Sequence, residues 1–239
     1  MKHLICNLKS NQLLPEIGGY IEEIKKIETN DIELVICPSF PYLPFFTKEK
    51  ITSGAQDISE YDEGAYTGEI NGKQLASLNV KYVIVGHSER RKYYKESDEV
   101  LVNKIKQALE NKLKIIYCVG ETKEEYLRKK TYVIIEKQIG RVLNEFNTTE
   151  LKNIIVAYEP VWSIGTGNIP EKSEIEDVTL FIKKLMDQYY HIKTPVLYGG
   201  SVNEKNIDEL KSIESLDGLL IGGASLDPKK LNSIIQSVK

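Results

Sequence analysis

Short apolar runs and amphipathic stretches take turns along this chain eight times, and nothing else in the sequence limits its possible folds so tightly. The runs are Lys2 to Asn7, Ile32 to Cys37, Ile51 to Gln56, Lys81 to Val85, Lys114 to Val119, Ile154 to Tyr158, Val196 to Tyr198 and Leu219 to Ile221. Most are continuous rather than alternating, as strands buried on both faces require. The stretches between them have helical spacing. In the first, Ile17, Ile21, Ile24 and Ile27 recur every three or four residues, while Glu22, Glu23, Lys25 and Lys26 take the other face. Strand and helix in strict alternation build a parallel sheet covered by helices. A chain of 239 residues with no linker, repeat or break in composition is expected to form one domain over residues 1–239.

Eight such units fit either a closed barrel or an open doubly wound sheet, and the loops separate the two. No G-x-G-x-x-G follows the first strand, as a dinucleotide fold demands. Glycine pairs instead follow the last two strands, Gly199-Gly200 and Gly222-Gly223, where barrels bind phosphate. The expected fold is therefore α/β, a closed eight-stranded parallel (β/α)8 barrel with a phosphate ligand.

Charge narrows the partners. With 32 basic and 35 acidic residues scattered along it, the chain has a formal charge of -3, which offers neither nucleic acid nor membrane a patch to hold. No apolar run approaches membrane-spanning length, and the first residues lack a signal-peptide core, so a cytoplasmic location is expected. Cys6, Cys37 and Cys118 are odd in number, lack C-x-x-C spacing and each lie at the end of a strand. They read as buried free thiols, with no metal site. A nucleophilic Cys118 would need an activating base or a basic neighbourhood, and its local sequence supplies neither.

Two strand ends carry residues suited to proton transfer. Glu159 follows a buried strand and precedes Pro160, which puts a partly desolvated carboxylate at the barrel mouth, as suits a general base. A lone glutamate there would more often form a rim salt bridge, but the Pro-Val-Trp-Ser-Ile-Gly-Thr-Gly run after it is composed like a moving lid. Trp162 and Ile164 would supply apolar cover, and Pro160, Gly165 and Gly167 hinges. His87 precedes Ser88 and Glu89, good first-turn residues, so its ring is expected beside a helix N-terminus that disfavours its protonated form. A neutral imidazole can donate to a carbonyl and shuttle protons. Asn7 and Lys9 lie two apart at the end of the first strand, a spacing that points both the same way, and Lys9 would suit an anionic substrate. The glycine pairs offer unobstructed N–H groups, Ser201 adds a hydroxyl, and Gly223 is placed to lead a short helical turn. Asp57 to Gly68 has no periodicity, which in a compact domain marks a functional or interface loop.

In order and spacing, Cys6-Asn7-Leu8-Lys9, Gly86-His87-Ser88-Glu89-Arg90-Arg91, Tyr158 to Gly167 and Ile221 to Leu226 resemble the triosephosphate isomerase family over the full length. The glutamate base, neutral histidine and closing loop of that family are a standard example of tuned proton transfer. The resemblance implies a TIM barrel and a cofactor-free interconversion of glyceraldehyde 3-phosphate and dihydroxyacetone phosphate, in glycolysis and gluconeogenesis. It implies Glu159 as base, His87 as electrophile, and Lys9 and Asn7 completing the set. Gly165, Ser201, Gly222 and Gly223 would bind phosphate, Glu89 would partner Lys9, and Cys118 would be structural. Thr67, at the tip of the 57–68 loop, would dock into a second subunit of a homodimer. A silent sugar-phosphate binder would keep the glycine pairs but lose the base, and here base, electrophile and lysine are all present.

The chain departs from the common family pattern at several positions. Leu8 stands at a usual tryptophan, Ser10 at a methionine, Asp57 at an asparagine and Ser163 at an alanine. Asn71-Gly72 replaces the Ser-Pro that opens a helix. A looser helix cap and an altered dimer contact at Asp57 are the expected consequences.

Overall fold

A computed structural model describes all residues from Met1 to Lys239. Its strands are β1 (His3–Asn7), β2 (Glu33–Cys37), β3 (Gly54–Ala55), β4 (Tyr82–Val85), β5 (Lys114–Val119), β6 (Ile154–Tyr158), β7 (Val196–Tyr198) and β8 (Gly218–Ile221). Every pairing is parallel, in the order β2-β1-β8-β7-β6-β5-β4-β3. A parallel bridge between Ile36 and Ser53, with Ile36 N–H donating to Thr52 at 2.9 Å, brings β2 to β3 and closes the barrel.

The helices on the outside are α1 (Leu14–Lys25), α2 (Leu43–Lys48), α3 (Gly72–Ser77), α4 (Ser88–Tyr93), α5 (Asp98–Glu110) and α6 (Lys123–Leu127). They continue as α7 (Thr131–Leu143), α8 (Thr148–Leu151), α9 (Lys172–Tyr190), α10 (Ile207–Lys211) and α11 (Pro228–Val238).

Two apolar layers result from the period of two along each strand. Ile5, Val35, Ile84, Ile116, Ile155, Leu197 and Leu220 fill the barrel interior together with Tyr82, Cys37, Cys118 and Ala157. Their neighbours, such as Leu4, Val83, Ile115 and Val156, face outward and join the helices in a larger layer of 54 residues. The inward row sets direction at the mouth. Ile155 and Ala157 are followed by Glu159, and Ile5 by Asn7. All three cysteines are buried free thiols. No helix is long and apolar enough to cross a membrane.

Three expectations change. Of the third run, only Gly54–Ala55 forms a strand, because its flanks bond elsewhere: Ile51 N–H donates to Phe46 at 3.2 Å, while Gln56 Nε2 donates to the carbonyls of Cys37 and Lys9 at 2.9 and 2.8 Å. The stretch after Cys118, whose spacing reads as one helix opening at Thr122 with Leu127, Val133, Ile134 and Leu143 on its apolar side, is two helices, α6 and α7, separated at Lys129, whose φ of 56° is left-handed. Thr122 caps the first as expected, but Leu127 and Val133 are exposed, and the buried face of α7 is Ile135, Ile139, Val142 and Leu143. The break rotates the second helix away from the phase of the first. The cap at Asn71 is not loose: its side chain accepts Gln74 N–H at 2.9 Å, and Gln74 Oε1 accepts Asn71 N–H at 3.1 Å. This reciprocal box satisfies two end donors without serine or proline.

The 57–68 segment has no helix or strand, yet it is well held. Ile58 and Ser59 are buried, and Ser59 N–H donates to Ile70 at 2.8 Å. Tyr61 and Tyr66 stack with ring centres 4.2 Å apart. Asp57 anchors the start on Lys104 of α5, at 2.7 and 2.8 Å, and on Arg90 of α4, at 2.8 Å. Thr67 projects into solvent.

Candidate active site

A cavity of about 420 Å³ opens at the C-terminal ends of the strands. Asn7, Lys9, His87, Glu159, Gly165, Ser201, Gly222 and Gly223 all line it, coming from β1, β4, β6, β7 and β8 and the lid. Gly223–Leu226 is a short 3₁₀ turn, as its sequence suggested.

The reactive groups are linked side by side. His87 is the residue before α4, and its Nδ1 accepts Glu89 N–H at 3.2 Å. A nitrogen that accepts carries no proton, so the ring proton lies on Nε2, which stands 3.1 Å from Glu159 Oε1. Glu159 Oε2 accepts Ser88 N–H at 3.0 Å. His87 is 5% and Glu159 2% exposed. One carboxylate oxygen is therefore held by a backbone donor at the start of α4, and the other lies against the His87 ring. Lys9 Nζ meets Glu89 Oε1 at 2.5 Å, which places an ammonium at the pocket edge and offsets the charge of the carboxylate 3.7 Å from His87 Nδ1.

Lys9 faces the pocket for a different reason from the expected strand alternation. Its φ of 53° turns the chain out of β1, and Asn7 Oδ1 accepts its N–H at 3.0 Å. An asparagine that bonds the backbone two residues on stabilises such a turn.

Glycines make room for Glu159. A Cβ on Gly199 would lie 2.9 Å from Glu159 Cγ, and one on Gly120 would collide with the Glu159 carbonyl. Gly199 N–H is engaged with Tyr158 O at 2.8 Å, so the first glycine pair gives Glu159 space and only partly offers amides. Gln138 fixes Gly120 from both sides, accepting its N–H at 2.8 Å and donating to its carbonyl at 3.0 Å. Arg91 pins the ends of β4 and β5, donating to Gly86 at 2.8 Å and Cys118 at 3.1 Å.

Cys118 does not line the cavity. Burial, and then the nearby charge of Glu159, push its thiol well above the ordinary range, the opposite of an activated nucleophile. Beneath the lid, fully buried Glu121 accepts Trp162 Nε1–H at 2.9 Å and Tyr158 O–H at 3.3 Å, and burial raises its carboxyl. Sequence reasoning passed over Glu121, Gln138 and Arg91, whose partners lie up to 41 residues away and leave no local signal. No group of three His, Cys, Asp or Glu side chains is placed to share a metal ion.

A sequence model of the family described as triosephosphate isomerase matches residues 2–238. A protein of Mesomycoplasma hyopneumoniae described as triosephosphate isomerase is 42% identical over 245 aligned residues, covering 98% of each chain. Proteins of the same description from Alkaliphilus metalliredigens and Colwellia psychrerythraea are 41% and 39% identical, over 92% and 98% of this chain and 92% and 96% of theirs. Agreement at that level from end to end leaves no part of the barrel outside the match, and the chain belongs to the triosephosphate isomerase family.

Proposed function

We propose a division of labour for the interconversion of D-glyceraldehyde 3-phosphate and dihydroxyacetone phosphate, the reaction of this isomerase. Glu159 removes a proton from one of the two adjacent carbons and returns it to the other. His87 donates from Nε2 to the oxygens that gain charge in the enediolate, and Lys9 stabilises that charge, with Asn7 holding the turn that presents it. The contact that carries this reading is Glu159 Oε1 to His87 Nε2 at 3.1 Å, base and electrophile on one cavity. Glu159 leaves Ser88 N–H and turns into the cavity when substrate enters.

Gly165, Ser201, Gly222 and Gly223 hold the phosphate with backbone N–H groups and one hydroxyl. The lid, Pro160 to Gly167, excludes water, strengthens these interactions and keeps the enediolate from expelling phosphate. Residues 1–239 act as one domain in the cytoplasm, in glycolysis. Two chains pair through the 57–68 loop, with Thr67 reaching the second subunit. The exposed Tyr61 and Tyr66 at 43% and 44% support that reading, because stacked tyrosines suit an interface.

A coupled assay of glyceraldehyde 3-phosphate isomerisation, run beside Glu159→Gln, tests the assignment. Loss of turnover in the variant supports it. Turnover that survives moves the base elsewhere, and an inactive wild-type dimer points to a silent sugar-phosphate binder. Shortening the lid is expected to release inorganic phosphate during turnover.

A further inference from the structure

Ser163 stands in the lid where alanine is common, and it is fully buried. Its hydroxyl is saturated. Oγ–H donates to the Asn168 carbonyl at 2.7 Å, and Oγ accepts Ser201 N–H at 3.3 Å and lies 3.2 Å from Tyr198 Oη. A hydroxyl has one proton, and Asn168 takes it, so the phenol of Tyr198 is the donor in the last contact. Ser201 also donates through Oγ to the Ser163 carbonyl at 2.6 Å. Gly200 lies against the group, and a Cβ there would stand 2.7 Å from Ser163 Oγ. One oxygen thus joins the middle of the lid to the residue just past its end, to the end of β7 and to a residue that lines the cavity.

We infer that the Ser163 hydroxyl is a latch: it holds the substrate-free lid as one folded unit on Tyr198 and Ser201, and a phosphate dianion in the cavity releases it by taking Ser201. Ser163 is a positioning residue that does not touch the reacting carbons. The inference rests on the reading of the cavity as a triose phosphate site. Both donors of Ser201, N–H and O–H, are turned to Ser163 in this structure. A phosphate oxygen is a charged and stronger acceptor than a hydroxyl or carbonyl, so bound phosphate competes for them directly. A ligand shifts a lid only through such differential contacts.

The chain has a single tryptophan, Trp162, next to the latch, so a fluorotryptophan label in the full-length protein reports the lid alone. The 19F exchange rate is measured without ligand and with saturating inorganic phosphate. Ser163→Ala is expected to raise the ligand-free rate about tenfold, since losing hydrogen bonds worth about 1.4 kcal/mol changes a rate by that factor. Phosphate should speed exchange in the wild type and leave the variant unchanged. Tyr198→Phe keeps the Ser163–Asn168 bond and is expected to fall between them, and the double variant to match Ser163→Ala. If Ser163→Ala exchanges at the wild-type rate and responds to phosphate alike, while wild-type turnover is normal, the latch is overturned and the active site stands. A wild-type protein without isomerase activity or phosphate binding overturns the cavity reading beneath it.

Discussion

Two charge clusters share the short helix α4 and use the same residue types for opposite ends. On one side, Glu89 holds Lys9, and His87 and Glu159 meet beside the open cavity. On the other, Arg90 bonds Asp57 and Glu96, while Lys104 holds both oxygens of Asp57 and Glu96 at 2.5 Å. In the first cluster Lys9, His87 and Glu159 face the cavity at the strand ends, whereas Arg90, Glu96 and Lys104 of the second border a separate hollow of about 360 Å³ beside the 57–68 loop. In the second, two cations and two carboxylates pair beneath the 57–68 loop, leaving only Glu96 Oε2 without a partner. What separates the two is bonding: Glu159 is held by one backbone donor and the ring beside it and can exchange them for a ligand, whereas each carboxylate of the second cluster is fixed by two cations.

Breaking the reactive cluster should have the largest effect. Glu159→Gln is expected to lower kcat by about 10³-fold or more, with an unchanged far-UV spectrum, as loss of a general base commonly does. A variant with kcat within tenfold of wild type would place the two clusters on the same structural footing.

The structural cluster should fail in stability. Lys104→Met leaves Asp57 and Glu96 buried with only Arg90 between them, and such a loss costs about 3–5 kcal/mol, read as a lower urea midpoint. Sedimentation then shows whether the 57–68 loop loses a partner chain at the same time. An unchanged midpoint would mean that the cluster is held from elsewhere.

Asp57→Asn sharpens the contrast through pH. Burial raises the Asp57 carboxyl more than Lys104 and Arg90 lower it, so the folded chain binds this proton more tightly than the unfolded one. That stabilisation is fully present below the ordinary aspartate range and is lost as pH rises through the raised pKa. The asparagine variant lacks this loss, so its stability relative to wild type is expected to climb with pH, by less than the Lys104 effect. A difference that is flat with pH would mean that Asp57 does not titrate across this range. The smallest effect belongs to the far end of the same loop. Asn71→Ala removes the cap of α3 and should cost about 1 kcal/mol by denaturation, whereas Asn71→Asp keeps the acceptor and should cost little.

Residues whose place follows from their immediate neighbours were legible. Glu159 and His87 sit in contiguous runs where an apolar strand stops at a polar residue, and Thr122 with Glu125 is a cap readable at four positions. Legibility failed where a backbone turn intervened. Lys129 broke the expected helix and put Leu127 and Val133 in solvent, and the left-handed turn at Lys9 reached the expected place by another route. It failed again where a partner came from afar: the Asp57 pairing with Lys104 spans 47 residues, and the Ser163 pairing with Tyr198 spans 35.

The order of strands and helices and the placing of Glu159 and His87 at strand ends were determined by sequence alone, because period and local chemistry are properties of neighbouring residues. Only the closed barrel decided which hydroxyl holds the lid, which carboxylate lies beneath Trp162 and which glycine leaves space for Glu159. Those outcomes depend on distances between strands that are remote in the chain, and closure brings their ends to one rim.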